Sequence, residues 1–343
     1  MSHLTYLQAI LIGLLQGVSD LFPVSSLGHS IIIPALIGGD WAQNLNMTAD
    51  KSPYLSFLVA VHVATAVALI VFYRRDWARI VSGLLHSIRN RSISTSAERL
   101  AWLLIAATVP VGLVGLTFEH VIRTSLGRPR VAALFLTLNG LLLYSVEKLR
   151  NRGATGTHRK GVHGAPGAAT TAASGDVTRA TYGHDLPAAM VPATATTAAR
   201  GKIGDDVDDD AQADDHLGRL GWGESIGIGA AQIVALLPGF SRSGATIAAG
   251  LIRGLDHEDA ARFAFLLATP VILAAGLLKL PELAGPEGNG ILGQVFAGAL
   301  VAGLAAYLSL RFLTRYFHTH TLTPFAIYCT LAGLLSLAWL TLT

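Results

Sequence analysis

The sequence predicts an all-α polytopic membrane protein with six full spans and two re-entrant helix pairs, its two halves forming an inverted repeat. Three observations carry that expectation. The 343 residues are 52% hydrophobic and only 14% charged, with a mean hydropathy of +0.51, whereas a soluble chain carries about a quarter charged residues. Six uninterrupted apolar runs approach the ~20 residues that a membrane helix needs. Two further apolar stretches are each broken in the middle by proline, glycine and hydroxyl side chains.

The uninterrupted runs are Leu55–Phe72, Leu100–Phe118, Val131–Val146, Phe263–Leu280, Leu292–Leu313 and Leu322–Leu342. The broken stretches are Leu4–Ile37, interrupted by Pro23-Val-Ser-Ser-Leu-Gly-His29, and Ser225–Ile252, interrupted by Pro238-Gly-Phe-Ser-Arg-Ser-Gly-Ala-Thr246. A break frees backbone groups that lipid cannot satisfy, so it is tolerated at membrane depth only inside protein or beside a water-filled cavity. Both stretches are therefore expected to be helix pairs that enter and return. Between the halves, Asn151–Arg219 is rich in Ala, Thr, Gly and Asp and poor in large apolar residues, and is expected to be a disordered cytoplasmic linker. This divides the chain into a first membrane repeat (1–150), the linker (151–219) and a second membrane repeat (220–343). The linker's aspartates around Asp205–Asp210 lack the glycine and terminal glutamate of a calcium loop and are expected to be a solvated acidic run.

A net charge of +3, dispersed among loops, argues against a nucleic-acid partner. The single cysteine, Cys329, excludes a disulfide framework and the usual thiolate metal sites. No basic leader precedes the first apolar stretch, which is expected to be retained. Basic residues set the orientation. With the Arg74–Arg99 stretch read as a loop and placed inside, Arg74, Arg75, Arg79, Arg89, Arg91, Arg99, Arg253, Arg262, Arg311 and Arg315 all fall inside, together with those of the linker. Only Lys51, Arg123, Arg128, Arg130 and Lys279 fall outside. The first helix pair then enters from outside and the second from inside. The two pairs also share local sequence. Gly13-Leu-Leu-Gln16 precedes Pro23 and Gly229-Ala-Ala-Gln232 precedes Pro238, and a serine follows each proline by three residues (Ser26, Ser241). Inverted repeats of this kind place a site near the midplane, where the interruptions meet.

Ionisable groups inside apolar segments are costly, and apart from span ends this chain has four: Asp20, His29, His62 and Arg242. Gly239 to Thr246 reads as an oxyanion cradle. Gly239 and Gly244 let the backbone approach a phosphate, Ser241, Ser243 and Thr246 supply hydroxyls, Arg242 supplies a planar fork, and the following helix directs its positive end at the anion. The plainer alternative is a helix break whose hydroxyls cap freed backbone groups. Gln16 and Asp20, at i and i+4, share a helix face. There a carboxylate can coordinate a divalent cation, orient water, accept a proton, or pair with Arg242. Ser26 or His29 can act as nucleophile or assist proton transfer. His62 is expected to be a core or pore-lining histidine.

With these residues in view, the chain resembles the undecaprenyl-diphosphate phosphatase family, also known as the bacitracin-resistance family. The most specific likeness is Leu237-Pro-Gly-Phe-Ser-Arg-Ser-Gly-Ala-Thr-Ile247 followed by Ala261-Arg-Phe-Ala-Phe-Leu-Leu267. Pro23-Val-Ser-Ser-Leu-Gly-His29 resembles the family's first signature and Phe325-Ala-Ile-Tyr328 its last span. The resemblance implies hydrolysis of undecaprenyl diphosphate to the monophosphate at the outer face of the bacterial plasma membrane. That reaction recycles the lipid carrier of cell-wall synthesis and confers bacitracin resistance. The resemblance also implies a divalent cation, Mg or Ca, at Gln16 and Asp20, and a groove between spans for the prenyl tail. It assigns Asp20, Ser26, His29 and Arg242 to catalysis. Asp20 stands where the family has glutamate, and Leu27 where a third hydroxyl residue is common. A lipid-phosphate transporter (flippase) and an inactive lipid-binding paralogue are the alternatives, and association into a homodimer is left open.

Overall fold

A computed structural model describes residues 4–45, 53–159, 216–283 and 290–342 of the chain. The elements in chain order are α1 (Tyr6–Ser19), α2 (Ser26–Ile37), α3 (Gly39–Asn44), α4 (Pro53–Phe72), α5 (Arg74–Asn90), α6 (Ser96–Leu126) and α7 (Pro129–Arg159). The second half holds α8 (Trp222–Ala230), a 3-10 turn (Ala231–Leu236), α9 (Arg242–Ile252), α10 (His257–Leu283), α11 (Leu292–Phe317) and α12 (Thr323–Leu342). Six of these, α4, α6, α7, α10, α11 and α12, are long and apolar enough to cross a membrane, and each covers one of the predicted runs, the last but for Leu322. At 1.5 Å per residue, α1, α2, α8 and α9 are too short to do so.

Two expectations are corrected. The Arg74–Arg99 segment is not simply a connecting loop. Most of it forms α5, an amphipathic helix that buries Ile80 and leaves Val81, Leu85 and Ile88 exposed. Such a helix lies in a membrane interface rather than across it. The linker is also shorter than its composition suggests. Residues 151–159 continue α7. At the far end Leu217 and Leu220 are buried, and Arg99 donates to the Leu220 carbonyl at 3.1 Å. The Asp205–Asp210 run and the rest of the linker lie outside the described residues.

The helices pack in a reciprocal pattern. Helix α7 crosses α12 where small residues allow contact: a Cβ on Gly140 would stand 2.3 Å from Thr330 Oγ1, and one on Gly333 would stand 2.4 Å from Thr137 Oγ1. The same Thr-x-x-Gly element on each helix thus meets its likeness on the other. Helix α4 packs against α10, α1 against α11, and α8 against α6. Small residues at such crossings are how membrane helices gain close van der Waals contact.

Charged side chains gather at one end of the bundle. Asp76 accepts from Arg79 and Arg262 at 2.6 Å each, Glu147 pairs with His257 at 3.0 Å, and His318 pairs with Glu258 at 2.6 Å. These contacts bring the start of α5, the ends of α7 and α11 and the start of α10 together. That is the alternation assumed in assigning the basic residues to one side.

Candidate active site

Each break is built the same way. Helix α1 stops at Ser19, with Asp20 as its C-cap donating its N–H to the Gln16 carbonyl at 2.9 Å. The chain then turns, and Ser25 caps α2 by accepting the Gly28 N–H on its Oγ at 3.1 Å. Ser25 sits at φ +68°, a left-handed conformation that costs a non-glycine residue energy and marks a constrained turn. In the second half, Ser241 caps α9 by accepting the Gly244 N–H, also at 3.1 Å. The structural counterpart of Ser241 is therefore Ser25, not Ser26 as the spacing from the prolines suggested. In this register Gly13, Gln16, Ser25 and Gly28 match Gly229, Gln232, Ser241 and Gly244 at one constant offset, and Ser26 matches Arg242. Each is the first residue of its helix.

The two breaks are packed onto each other. A Cβ on Gly28 would lie 2.9 Å from the Gly239 Cα, and one on Gly244 would lie 3.2 Å from the Pro23 Cβ. Gly239, at φ +114°, leaves no room for a side chain, since a Cβ there would stand 2.3 Å from the Ala132 carbonyl oxygen. The Ser243 hydroxyl donates to the Phe22 carbonyl at 3.1 Å, and Ser241 Oγ lies 3.4 Å from the same oxygen. Asn139, buried on α7, holds both breaks: its Nδ2 donates to the Pro23 carbonyl at 3.2 Å and its Oδ1 accepts the Ser241 N–H at 3.1 Å.

At this junction the Asp20 carboxylate receives three neighbours. Arg242 Nη2 donates to Oδ1 at 3.1 Å and to Oδ2 at 3.2 Å. Ser26 Oγ donates to Oδ1 at 3.2 Å. His62 Nε2 stands 3.8 Å from Oδ1. The side chains of Asp20 and Arg242 are only 5% and 18% exposed, so this charge-assisted pair is largely shielded from solvent. His62 and Asn139 stand near the middle of α4 and α7, which sets the site at mid-depth of the spans. The N-termini of α2 and α9 both open here. The first two N–H groups of a helix have no preceding turn to bond, and together with the helix dipole they favour an anion.

The structure thus brings Asp20, Ser26 and Arg242 together, and the shorter carboxylate of Asp20 still reaches both partners. His29 is placed elsewhere. Its Nδ1 lies 2.7 Å from the Ser25 carbonyl and its Nε2 2.9 Å from the Tyr328 hydroxyl, with the two rings stacked. A carbonyl only accepts, so Nδ1 carries the proton. The cradle hydroxyls are engaged locally: Ser241 as a cap, Ser243 on Phe22, and Thr246 donating to the Arg242 carbonyl at 2.8 Å. Arg242 and the two helix starts remain as the anion-facing groups. His62, expected as a core or pore-lining histidine, is more particularly a neighbour of Asp20. Asn139 carries no expectation from the sequence, and Tyr328 enters it only as the end of the likeness to the family's last span. Asparagine in a membrane span is a signal that a search confined to ionisable groups passes over.

A divalent cation fits here only if its ligands are shared. Both Oε1 and Nε2 of buried Gln16 lack a hydrogen-bond partner among the described residues, which leaves one unused oxygen one turn from Asp20. Among the described residues no cluster of three His, Cys, Asp or Glu exists. One carboxylate and one amide oxygen do not make an all-protein cage. They do suit magnesium, which is commonly held by a carboxylate or two, substrate phosphates and water.

Comparison with known proteins identifies the family. Residues 9–173 and 186–335 match the family described as bacitracin resistance protein BacA. The chain is 56% identical to Undecaprenyl-diphosphatase 2 of Frankia alni, over 98% of each chain. It is 52% identical to Undecaprenyl-diphosphatase of Mycolicibacterium paratuberculosis, over 99% of each. It is also 38% identical to Undecaprenyl-diphosphatase 2 of Chromobacterium violaceum, over 96% of this chain and 97% of that one. With matches covering most of both halves, the chain belongs to the bacitracin resistance protein BacA family.

Proposed function

We propose that this protein hydrolyses undecaprenyl diphosphate to undecaprenyl phosphate and inorganic phosphate in the bacterial plasma membrane, recycling the cell-wall lipid carrier and conferring bacitracin resistance. The observation that carries the reading is the buried Asp20–Arg242 pair with Ser26 on the same carboxylate, set where two helix N-termini open together. Two adjacent anion-facing helix starts suit a substrate with two linked phosphates. The names of the relatives support the same substrate.

Arg242 leaves Asp20 to fork the diphosphate, and the starts of α2 and α9 neutralise charge that develops on its oxygens. Ser26, already within hydrogen-bond reach, passes its proton to Asp20 as Oγ bonds to the terminal phosphorus. The bond from that phosphorus to the bridging oxygen breaks, and the lipid monophosphate leaves with the electron pair. Water then hydrolyses the phosphoserine. His29, expected as a proton-transfer residue, has both ring nitrogens engaged, by the Ser25 carbonyl and the Tyr328 hydroxyl, and its part is to fix the start of α2 against α12. Gln16 and Asp20 would hold a divalent cation, which when bound supplies further neutralisation of phosphate charge. We place the opening of the site on the outer face, from the basic-residue bias, and read the halves as inverted repeats.

Phosphate release from undecaprenyl diphosphate by the purified protein in detergent tests the proposal, because sidedness is absent there. Release that is lost in Arg242→Ala supports it, and near-normal turnover by that variant overturns the site. The breaks and their reciprocal packing are also the plan of secondary transporters. Lipid binding without release, together with transport across vesicles, would replace the phosphatase with that carrier.

A further inference from the structure

At the end of α11 lies an open cleft of about 480 Å³ lined by Leu308, Arg311, Phe312, Arg315, Tyr316 and His320, none of them a residue of the Asp20 junction. Arg311 and Arg315 stand one turn apart, both exposed, and neither guanidinium has an ion-pair partner among the described residues. The acids nearby are already engaged: Glu147 binds His257 and the Leu322 N–H, and Glu258 binds His318. One wall is aromatic, with Phe312 stacked on Tyr316 at 5.7 Å and Tyr316 on His320 at 4.6 Å. The cleft sits in the last turns of a spanning helix, at the end of the bundle that carries the charged belt.

A stripe of large apolar side chains leads to it. Leu292, Phe296, Leu300, Leu304, Leu308 and Phe312 recur every four residues along α11, each between 53% and 71% exposed. On a spanning helix such a stripe faces lipid tails. Phe312 ends the stripe and also stacks on Phe22, whose carbonyl bonds the second break, at 5.8 Å.

From these features we infer that the α11 terminus is a binding site for an anionic phospholipid of the bilayer. Arg311 and Arg315 take the headgroup phosphate, Tyr316 and His320 flank it, and an acyl chain runs along the α11 stripe. Two unpaired cations one turn apart match one phosphate, and the cleft opens directly onto the surface where a tail must lie. Neither arginine belongs to the phosphate-release machinery proposed above.

Native mass spectrometry of the full chain in mixed micelles of phosphatidylglycerol and phosphatidylcholine tests this. The unaltered protein should retain phosphatidylglycerol over phosphatidylcholine. Arg311→Gln with Arg315→Gln should lower that retention by about 30-fold, the product of two interfacial arginines, while phosphate release and melting temperature stay unchanged. Equal retention of both lipids overturns the inference, as does full retention by the folded double variant. Displacement of the lipid by millimolar inorganic phosphate would make the cleft a free-phosphate site and overturn it too. Displacement by stoichiometric undecaprenyl phosphate would assign the cleft to the reaction product instead.

Discussion

The Oδ1 of Asn139 accepts the Ser241 main-chain N–H at 3.1 Å while the Nδ2 of the same amide donates to the Pro23 carbonyl at 3.2 Å. One amide in the middle of α7 therefore sets the distance between the two breaks, and with it the reach of Arg242 to Asp20. Asn139→Ala removes both bonds, strands the buried Ser241 N–H at a cost of about 1–3 kcal/mol, and leaves the Pro23 carbonyl only the weak Cys329 Sγ contact at 3.6 Å. Asn139→Asp keeps the acceptor but turns a carboxylate oxygen towards the Pro23 carbonyl. Both variants should melt earlier in detergent and lose most phosphate release, with the aspartate no better than the alanine. An aspartate variant with normal turnover would show that only the Ser241 bond matters.

The crossing of α7 and α12 makes a sharper packing prediction. A methyl added at Gly333 would stand 2.4 Å from Thr137 Oγ1 and 2.6 Å from the Thr137 main-chain nitrogen. A threonine rotamer can yield to the first contact but nothing can yield to the second, so the helices must part. Gly333→Ala should cost about 1–3 kcal/mol, as overpacking in a close-packed interior usually does. Gly140→Ala, which meets Thr330 at its nitrogen and Oγ1, should cost a similar amount. Thermal unfolding of the two single variants checks both halves of the crossing independently.

Much of this architecture was legible because lipid imposes simple rules. A run of apolar residues such as Val131–Val146 has one structural answer, and a Pro-Gly-Ser break inside such a run has few. Asp20, Ser26 and Arg242 could be picked out because charge and hydroxyl clusters are rare at depth. The rest depended on facts that pattern does not carry. Helix α5 looked like a loop because its charged residues mask an amphipathic period that only a membrane interface makes stable. The proline spacing points to Ser26 rather than Ser25 because the prolines fall one position out of register, whereas the caps keep it. His29 looked like a partner of Ser26, but the first turn of α2 points its ring at Tyr328 on a helix some 300 residues away in sequence. His62 had no neighbour in sequence, and only the packing of α4 behind α1 shows what it faces.

The Asp20–Arg242 fork predicts that charge alone does not suffice. Arg242→Lys keeps the positive charge, and one nitrogen can still meet both carboxylate oxygens as Nη2 does here, but it cannot bond two phosphate oxygens in a plane. Phosphate release should fall by on the order of 100-fold, with Arg242→Ala lower still. Asp20→Asn should be as poor, since it neither accepts the Ser26 proton nor balances a buried guanidinium.

Asp20→Glu separates a working enzyme from an inactive paralogue. The Asp20 carboxylate already reaches Ser26 and Arg242 at hydrogen-bond distance. An extra methylene moves it by roughly 1.5 Å, a displacement large enough to cost about 100-fold. Activity measured as phosphate release should therefore fall. A large gain would mean that this chain's own site is a weakened form of the family's.

His62 offers the last test, because its two nitrogens face different partners. Nδ1 lies 2.7 Å from the Leu58 carbonyl, which can only accept, so Nδ1 carries a proton. Nε2 lies 3.8 Å from Asp20 Oδ1, beyond a direct hydrogen bond but within the range of an ion pair or a bridging water. A residue that only fills space here is replaced best by leucine; one that steadies the Asp20 carboxylate is replaced best by glutamine, whose amide can donate. His62→Leu should lower kcat about 5-fold, the ~1 kcal/mol of an ordinary hydrogen bond such as a bridging water would make, with little change in melting temperature. His62→Gln should recover much of the loss. Equal kcat for the leucine variant and the unaltered protein would return His62 to packing alone and leave Asp20 to Ser26 and Arg242.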